Sequence, residues 1–362
     1  MKQPDKHPAM MVHERQPFNA EPPLAPLRQS FLTPEELFFS RNHGSIPDVD
    51  PDGYRLSVGG LVDGSLELSM EDLRERPKSE VTAVVECAGN RRDGLMGVAP
   101  IRGETPWGAG AIGNARWAGV PLREVLLEAG VGEGARHAAF VGLDEVEGAD
   151  GSFNYGGSIP LEKALSPEML LAYEMNGEPL PREHGFPLRV VAPGYIGARS
   201  VKWLSGITLQ DAPSDNHYQA REYKLFSPSA TEETADLSEG MMLGELQVNA
   251  AICEPEDGAR LTAGPVSVRG YAIAGGGRRV ERVDVSTDGG RVWSQTDLRE
   301  GTDVPWAWSF WEATLELGPG EHRIVVRALD SSATTQPATA AEVWNFKGYA
   351  NNSWHGVKVT AR

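Results

Sequence analysis

The sequence is poor in cysteine and lacks long apolar runs. Two of its 362 residues are cysteines, Cys87 and Cys253, which gives neither a disulfide framework nor a zinc-ligand spacing. No run of about 18 apolar residues is present, so we expect no membrane-spanning segment. The chain is long enough for two domains, each with its own hydrophobic core.

Positive charge is also scarce. The chain has 34 lysines and arginines against 51 aspartates and glutamates, which gives a formal net charge of −17. Because such a chain repels anions, we expect neither a nucleic acid nor an anionic membrane as a partner. A local group of arginines is informative for the same reason, since it opposes the average field of the protein.

The N-terminal residues show no secretory signal. MKQPDKHPAMMVHERQPFNAEPPL has no apolar core region of a signal peptide and no arginine pair. We therefore expect a cytoplasmic protein. A periplasmic location would require a leader ahead of this sequence.

The first two thirds of the chain mix strand and helix patterns. Residues 1–30 are polar and proline-rich, which indicates an extended arm on the surface. Residues 79–89 predict a buried strand that runs into glycine, and 120–131 have helical spacing with a glycine stop. Residues 186–209 predict two strands separated by a Pro-Gly loop. We interpret residues 1–240 as one α+β domain.

The last third has a different pattern. Residues 227–245 are acidic and polar, as in a linker. Alternating strands follow at the spacing of a β-sandwich, with an Asp-Gly-Gly hairpin at 288–290. Six of the nine tryptophans lie after residue 290, which indicates an aromatic core. We predict an all-β immunoglobulin-like sandwich over residues 246–362.

One cysteine lies beside two arginines. The stretch VVECAGNRRDGL, residues 84–95, places Cys87 close to Arg91 and Arg92. A lone buried cysteine is often a plain core residue, but a core residue does not require arginines. A thiolate that binds a metal, next to a site for an anion, would use both.

Three further basic stretches combine cations with glycine, proline or aromatic residues. They are FFSRNHGSIP at 38–47, REHGFPLRVVAPGYIGARSVKW and REYKLFSP. The planar guanidinium of arginine makes paired hydrogen bonds to oxyanions, and the backbone amides of glycine-rich bends add donors for a phosphate. Together the four stretches favour an anion-binding site over solvated charge.

The chain resembles the sulfite oxidase family of molybdenum enzymes. The resemblance is carried by ECAGNRR, by LLAYEMNGEPLPREHGFPLRVVAPGYIGARSVKWL and by VWNFKGYANNSWHGVKV, and it extends over most of the chain. It is a resemblance to the haem-free form of plants and bacteria. It implies a molybdopterin-binding domain of the sulfite oxidase fold, followed by a dimerisation domain, and therefore a homodimer.

The resemblance also implies a cofactor. Molybdenum would be held by one pyranopterin (molybdopterin) dithiolene and by the thiolate of Cys87, with no haem. His43 and His184 could instead be structural histidines. The implied cofactor-binding residues are Phe39, Arg41, Asn42, His43, Asp144, His184, Arg189, Ser200, Val201 and Lys202.

The catalytic residues that the resemblance implies are Arg41, Arg92, Trp107, Tyr223 and Lys347. Trp107 could also be plain core. Lys347 stands where animal and plant sulfite oxidases usually have arginine, so we expect weaker sulfite binding because lysine lacks the bidentate fork. Tyr223 argues against nitrate reduction, since nitrate reductases of this superfamily generally lack that tyrosine.

The implied reaction is the oxidation of sulfite to sulfate by oxygen-atom transfer. The electrons would pass to a separate acceptor, either a c-type cytochrome or dioxygen. One alternative is another molybdenum reaction on the same scaffold, such as reduction of a sulfoxide or of nitrate. A second is a binding protein without enzymatic activity, which would leave the cations around Cys87 without a purpose.

Overall fold

The computed structural model describes residues 4–148 and 151–362, so the first three residues of the predicted arm lie outside the described part. Its strands before residue 245 are β1 Met11–Arg15, β2 Phe18–Glu21, β3 Leu56–Gly60, β4 Leu66–Leu68, β5 Ser79–Glu86, β6 Ile112–Pro121, β7 His137–Gly148, β8 Gly151–Pro160, β9 Leu170–Met175, β10 Glu178–Pro179, β11 Arg189–Val191, β12 Leu204–Gln210, β13 Lys224–Leu225 and β14 Met241–Met242.

The helices are short. The α-helices are α1 Leu24–Leu27, α2 Met70–Arg74, α3 Arg92–Met96, α4 Leu122–Ala129, α5 Leu161–Ala164 and α6 Ala340–Val343. Three 3₁₀ turns cover Glu35–Leu37, Arg182–His184 and Gly197–Arg199, and a π-helical turn covers Tyr218–Glu222. Of the helices in the described residues, none is long and apolar enough to cross a membrane.

The first domain has the two-stranded sheets β1-β2 and β13-β14, but most of it is formed by two five-stranded sheets. One has the order β10-β9-β6-β5, with β11 also paired to β9, and the other has the order β4-β3-β12-β7-β8. The pairing of β12 with β3 is parallel, and the other pairings in these two sheets are antiparallel. Strand β5 ends at Glu86, so Cys87 is the first residue after the strand.

The predicted helix and strand pair of this domain are confirmed. Helix α4 lies inside the predicted range 120–131 and buries Leu122, Val125, Leu126 and Ala129, the spacing of one helical face. It ends at Gly130, whose φ of 74° is unfavourable for a residue with a Cβ. Strands β11 and β12 are separated by a loop that contains Pro193 and Gly194, as the sequence indicated.

The prediction of a surface arm was wrong for residues 18–22, which are buried. Strand β2 is buried along its whole length. The Asn19 side chain accepts the amide of Asn42 at 2.7 Å, and the Glu21 carboxylate accepts the amides of Gly108 and Gly110 at 2.7 and 3.0 Å. Asn19 and Glu21 are therefore buried because they satisfy backbone groups of the interior.

The second domain is a sandwich of two sheets. Its strands are β15 Asn249–Glu254, β16 Arg260–Leu261, β17 Gly264–Ile273, β18 Val280–Ser286, β19 Ser294–Gln295, β20 Asp297–Leu298, β21 Ser309–Leu317, β22 Gly320–Asp330 and β23 His355–Ala361. The sheets have the orders β15-β17-β21-β20 and β16-β23-β22-β18-β19, and a core around Trp311 lies between them. The predicted all-β architecture is confirmed. The boundary between the two domains, placed between residues 240 and 246, stays a prediction.

The second domain holds the loop that follows Cys87. Arg91 donates to the Asn249 side chain at 2.5 Å, and the Asn351 amide donates to the carbonyl of Arg91 at 2.7 Å. Arg92 Nε donates to the carbonyl of Gly348 at 3.0 Å. Since these bonds join the two domains at one loop, the position of that loop depends on both.

The centre of the sandwich offers a steric test. A Cβ at Gly270 would lie 1.9 Å from the carbonyl oxygen of Ala251 and 2.7 Å from Trp311. Gly270→Ala must therefore separate β17 from β15, and we expect a loss of about 2–4 kcal/mol in the free energy of unfolding. Gly318→Ala is the matched control, because nothing lies within 4 Å of its added Cβ. Equal denaturation midpoints for the two variants would contradict this packing.

Candidate active site

A pocket opens at the end of β5, between loops of the first domain. Nine of the ten residues predicted for the cofactor line it, namely Phe39, Arg41, Asn42, His43, Asp144, His184, Arg189, Ser200 and Lys202. Cys87 and Tyr223 line it as well. Val201 is buried behind the wall, where its carbonyl accepts the amide of Val190 at 2.8 Å. It therefore fixes the backbone between two lining residues.

Cys87 lines the pocket and is a buried cysteine with a free thiol. Its Sγ accepts the amide of Gly89 at 3.4 Å. Burial raises the pKa of this thiol, and the nearby guanidinium groups of Arg41 and Arg92 oppose that rise. The surroundings thus stabilise a thiolate once a metal replaces the proton.

Two cations in the pocket wall are held by main-chain oxygens. Arg189 donates to the carbonyls of His184 and Ser200 at 2.9 and 3.1 Å, and burial lowers its pKa to about 9. Lys202 donates to the carbonyls of Arg41 and Glu183 at 3.1 and 2.9 Å. Burial is the largest influence that lowers the pKa of Lys202, and the positive charge of the neighbouring Arg189 lowers it further. A bound phosphate would further favour the charged forms of both groups, because a nearby anion opposes the effect of burial.

Asp144 provides a test of whether a pterin fits. Within the described residues, its buried Oδ1 has no hydrogen-bond partner. Burial raises the pKa of this carboxyl group, and Lys202 opposes the rise. A pterin ring carries N–H donors that would satisfy such an acceptor, and the cations nearby suit its phosphate. The residues present therefore fit a pyranopterin.

Lys6, a residue not predicted from the sequence, determines which ring nitrogen of His184 carries the proton. Lys6 Nζ lies 2.6 Å from His184 Nε2. An ammonium group only donates, so Nε2 accepts and the proton of a neutral ring is on Nδ1. Burial and the adjacent Lys6 hold the pKa of His184 well below its usual value. No local pattern pointed to Lys6, because 178 positions separate the two residues.

A chain of hydrogen bonds orients Tyr223. Arg41 Nη2 lies 3.1 Å from His43 Nδ1, and His43 Nε2 lies 2.7 Å from the Tyr223 hydroxyl. Since arginine only donates, Nδ1 accepts and Nε2 donates to the tyrosine oxygen. The hydroxyl hydrogen of Tyr223 therefore stays available for another acceptor. Burial raises the pKa of Tyr223 well above its usual value, so it is a neutral donor at pH 7.

Arg92 and Trp107 lie next to the pocket but outside its lining. Arg92 Nη1 donates to the carbonyl of Thr105 at 2.9 Å and lies 3.2 Å from the Glu104 carboxylate. Trp107 is fully buried and packs edge-on against His13 at 4.9 Å between ring centres. In the described part of the chain its Nε1 has no hydrogen-bond partner.

Lys347 is engaged in an ion pair. Its Nζ lies 2.7 Å from Oε2 of Glu222, the residue that precedes Tyr223. Glu104, Glu222 and Tyr349 were missed at the sequence level. They belong to the same cluster, because the charges of Arg92, Arg41 and Lys347 all act on Glu104 and the Tyr349 ring lies 5.1 Å from the Arg92 guanidinium carbon.

Comparison with known proteins agrees with this geometry. Residues 43–218 match the family described as "Oxidoreductase molybdopterin binding domain", and residues 241–362 match "Mo-co oxidoreductase dimerisation domain". Human mitochondrial sulfite oxidase is 47% identical over 98% of this chain and 66% of its own length. Sulfite oxidase of Arabidopsis thaliana is 42% identical over 98% of this chain and 95% of its own length.

A solved structure matches the whole fold. The sulfane dehydrogenase SoxCD from Paracoccus pantotrophus has a TM-score of 0.81 at 26% identity and covers 97% of this chain and 88% of its own. The fold, the thiol and the cation-lined pocket define a molybdopterin-binding oxidoreductase. Within that class, the chain belongs to the sulfite oxidase family. It spans just under two thirds of the length of the human relative.

Glu86, the last residue of β5, is a buried carboxyl group beside the site. Its Oε1 accepts the side-chain amides of Asn90 and Asn249 at 2.8 and 3.3 Å. Burial is the largest influence and raises its pKa from 4.5 to about 7. Because the folded pKa is the higher one, the stability associated with this group is present below about pH 4.5 and is lost as pH rises through about 7.

We expect Glu86→Gln to abolish that loss. The amide keeps the acceptor oxygen and cannot ionise. The free energy of unfolding of the variant, relative to that of the native protein, should therefore rise by about 2 kcal/mol from about pH 5 to about pH 8. Urea denaturation at both pH values measures this. Glu128→Gln is the control, since that carboxylate pairs with Arg76 at the surface. A pH-independent difference for Glu86→Gln would contradict the raised pKa.

Proposed function

We propose that this chain oxidises sulfite to sulfate by oxygen-atom transfer, with a molybdenum cofactor in the pocket. The observation that carries the proposal is that the Cys87 thiol and Arg41 line the same pocket, while the buried Arg92 lies just outside the lining and its charge also acts on the thiol. A thiolate suits a soft metal and guanidinium groups suit an oxyanion. The names of the human and Arabidopsis relatives support sulfite as the substrate.

In this proposal the pocket wall holds the cofactor. Cys87 would provide the protein ligand of the metal, Asp144 would accept a hydrogen bond from the pterin, and Arg189 and Lys202 would bind its phosphate. His184 would donate through Nδ1, because Lys6 occupies Nε2. When bound, the cofactor supplies oxygen-atom transfer and a two-electron redox couple.

The substrate anion would be bound by a second set of groups, which differs from the set that would hold the pterin. Arg41 and Arg92 would stabilise negative charge as it shifts during the reaction. Tyr223 would donate its free hydroxyl hydrogen to an anion oxygen, since its own oxygen accepts from His43. Trp107 would close the pocket from behind. Lys347 would contribute only after it leaves Glu222.

The proposal also includes a separate electron acceptor. We assign no haem to this chain, so the electrons would pass to a c-type cytochrome or to dioxygen. The net charge of −17 supports a basic cytochrome, because opposite charges accelerate the encounter. The match of residues 241–362 to a dimerisation domain supports a two-fold homodimer.

The first test measures molybdenum content and sulfite-dependent ferricyanide reduction on one purified sample. We expect one molybdenum per chain with activity, and we expect Cys87→Ser to lose sulfite oxidation because a hydroxyl is a poor ligand for a soft metal. Cys253→Ser is the matched control, since Cys253 is a buried residue of β15 outside the lining of the pocket. Full activity of Cys87→Ser would refute the thiolate assignment.

Other outcomes separate the alternatives. Molybdenum without sulfite oxidation would retain the cofactor site and favour reduction of a sulfoxide or of nitrate. Absence of molybdenum after expression with intact cofactor synthesis would favour a binding protein.

A second test concerns the acceptor. With a basic c-type cytochrome, we expect the second-order rate constant to fall several-fold between about 20 and 200 mM salt, because ions screen the attraction. With neutral dioxygen the rate should not depend on salt. An absorbance spectrum of the purified protein should lack a Soret band. A salt-independent rate with cytochrome, or a Soret band, would contradict this part of the proposal.

A further inference from the structure

The cations near the proposed anion site differ in what neutralises them. Arg41 donates to the carbonyl of Asn42 and to His43, so no carboxylate directly cancels its charge. Arg92 lies 3.2 Å from Glu104 but also donates to two carbonyl oxygens. Lys347 is different, because in the described residues its Nζ has one hydrogen-bond acceptor, the Glu222 carboxylate at 2.7 Å.

The position of Glu222 is fixed by its element. It is the last residue of the π-helical turn Tyr218–Glu222 and is followed directly by Tyr223. Single π-helical turns often occur at functional sites. The side chains of Glu222 and Lys347 are only 20% and 15% exposed, so water screens their interaction less than at an open surface. His217 Nε2 lies 3.5 Å from the other carboxylate oxygen.

The position of Lys347 connects it to the anion-binding arginine. The carbonyl of Gly348, the next residue in the chain, accepts a hydrogen bond from Arg92 Nε. The charges of both Lys347 and Glu222 act on Glu104, which pairs with Arg92. Lys347 and Glu222 therefore stand at the edge of the same cluster as Arg41, Arg92 and Tyr223.

We propose that Glu222 is an internal counter-ion that sets the anion affinity of the pocket, because a bound oxyanion must replace it on Lys347. The inference rests on the proposed function for the identity of the substrate, but it concerns anion binding alone. While the pair is closed, the carboxylate cancels the ammonium and repels an incoming anion. Glu222 is thus a specificity-determining residue that acts through Lys347.

A structural salt bridge would make a different prediction. Partly exposed ion pairs contribute little to stability, so their loss alters the melting temperature slightly and has no effect on an anion site. A counter-ion differs from a structural salt bridge in its effect on the anion site. Its removal leaves stability nearly constant and increases the affinity for an oxyanion.

Calorimetric titration of the holoprotein with sulfate distinguishes the two. We expect Glu222→Gln to lower the sulfate dissociation constant about three- to tenfold and to lower the KM for sulfite in the same direction. Glu128→Gln removes the same charge at a surface pair with Arg76 and should leave sulfate affinity unchanged. In a Lys347→Met background, the gain from Glu222→Gln should shrink, because no ammonium is released.

Three results would overturn the inference. They are an unchanged sulfate affinity in a folded Glu222→Gln protein, an equal gain in Glu128→Gln, and sulfate binding too weak to measure in every variant. A protein that binds sulfate more tightly after Glu222→Gln, yet does not oxidise sulfite, would retain the inference and refute the proposed function.

Discussion

The site depends on burying positive charge without neutralising it. Arg189 and Lys202 donate to main-chain carbonyls, and Arg92 donates to two carbonyls in addition to its contact with Glu104. A carbonyl oxygen satisfies a donor but has no formal charge, so the cations keep an attractive field for phosphate and for an anion. Lys347 shows the alternative, because the Glu222 carboxylate accepts its hydrogen bond and also neutralises its charge.

This arrangement explains why the pocket is built from loops and single turns. Long helices and strands use their carbonyls internally, whereas the turns Arg182–His184 and Gly197–Arg199 leave carbonyls free to accept from side chains. The second domain contributes in the same way, through the carbonyl of Gly348. The two sheets of the first domain and the sandwich therefore act as rigid supports for a shell of irregular backbone.

Much of the site was predictable because its motifs are local. Cys87 and its arginines occur within six residues, and the predicted cofactor residues lie in a few short stretches. The contacts that were missed join distant positions, as for Lys6 with His184, 178 positions apart, and Glu222 with Lys347, 125 apart. The burial of β2 was missed for a related reason, since the polar composition of residues 1–30 indicates solvent, whereas the Glu21 carboxylate accepts interior amides.

The ion pair of Lys347 has an evolutionary consequence. Lys347 belongs to the sandwich half of the chain, whereas the groups proposed to hold the cofactor belong to the first domain. A substitution at residue 347, or at its partner Glu222, changes the charge offered to a substrate without touching those groups. Through residue 347, substrate preference can therefore diverge among descendants of this fold while the residues proposed to hold the cofactor are inherited unchanged.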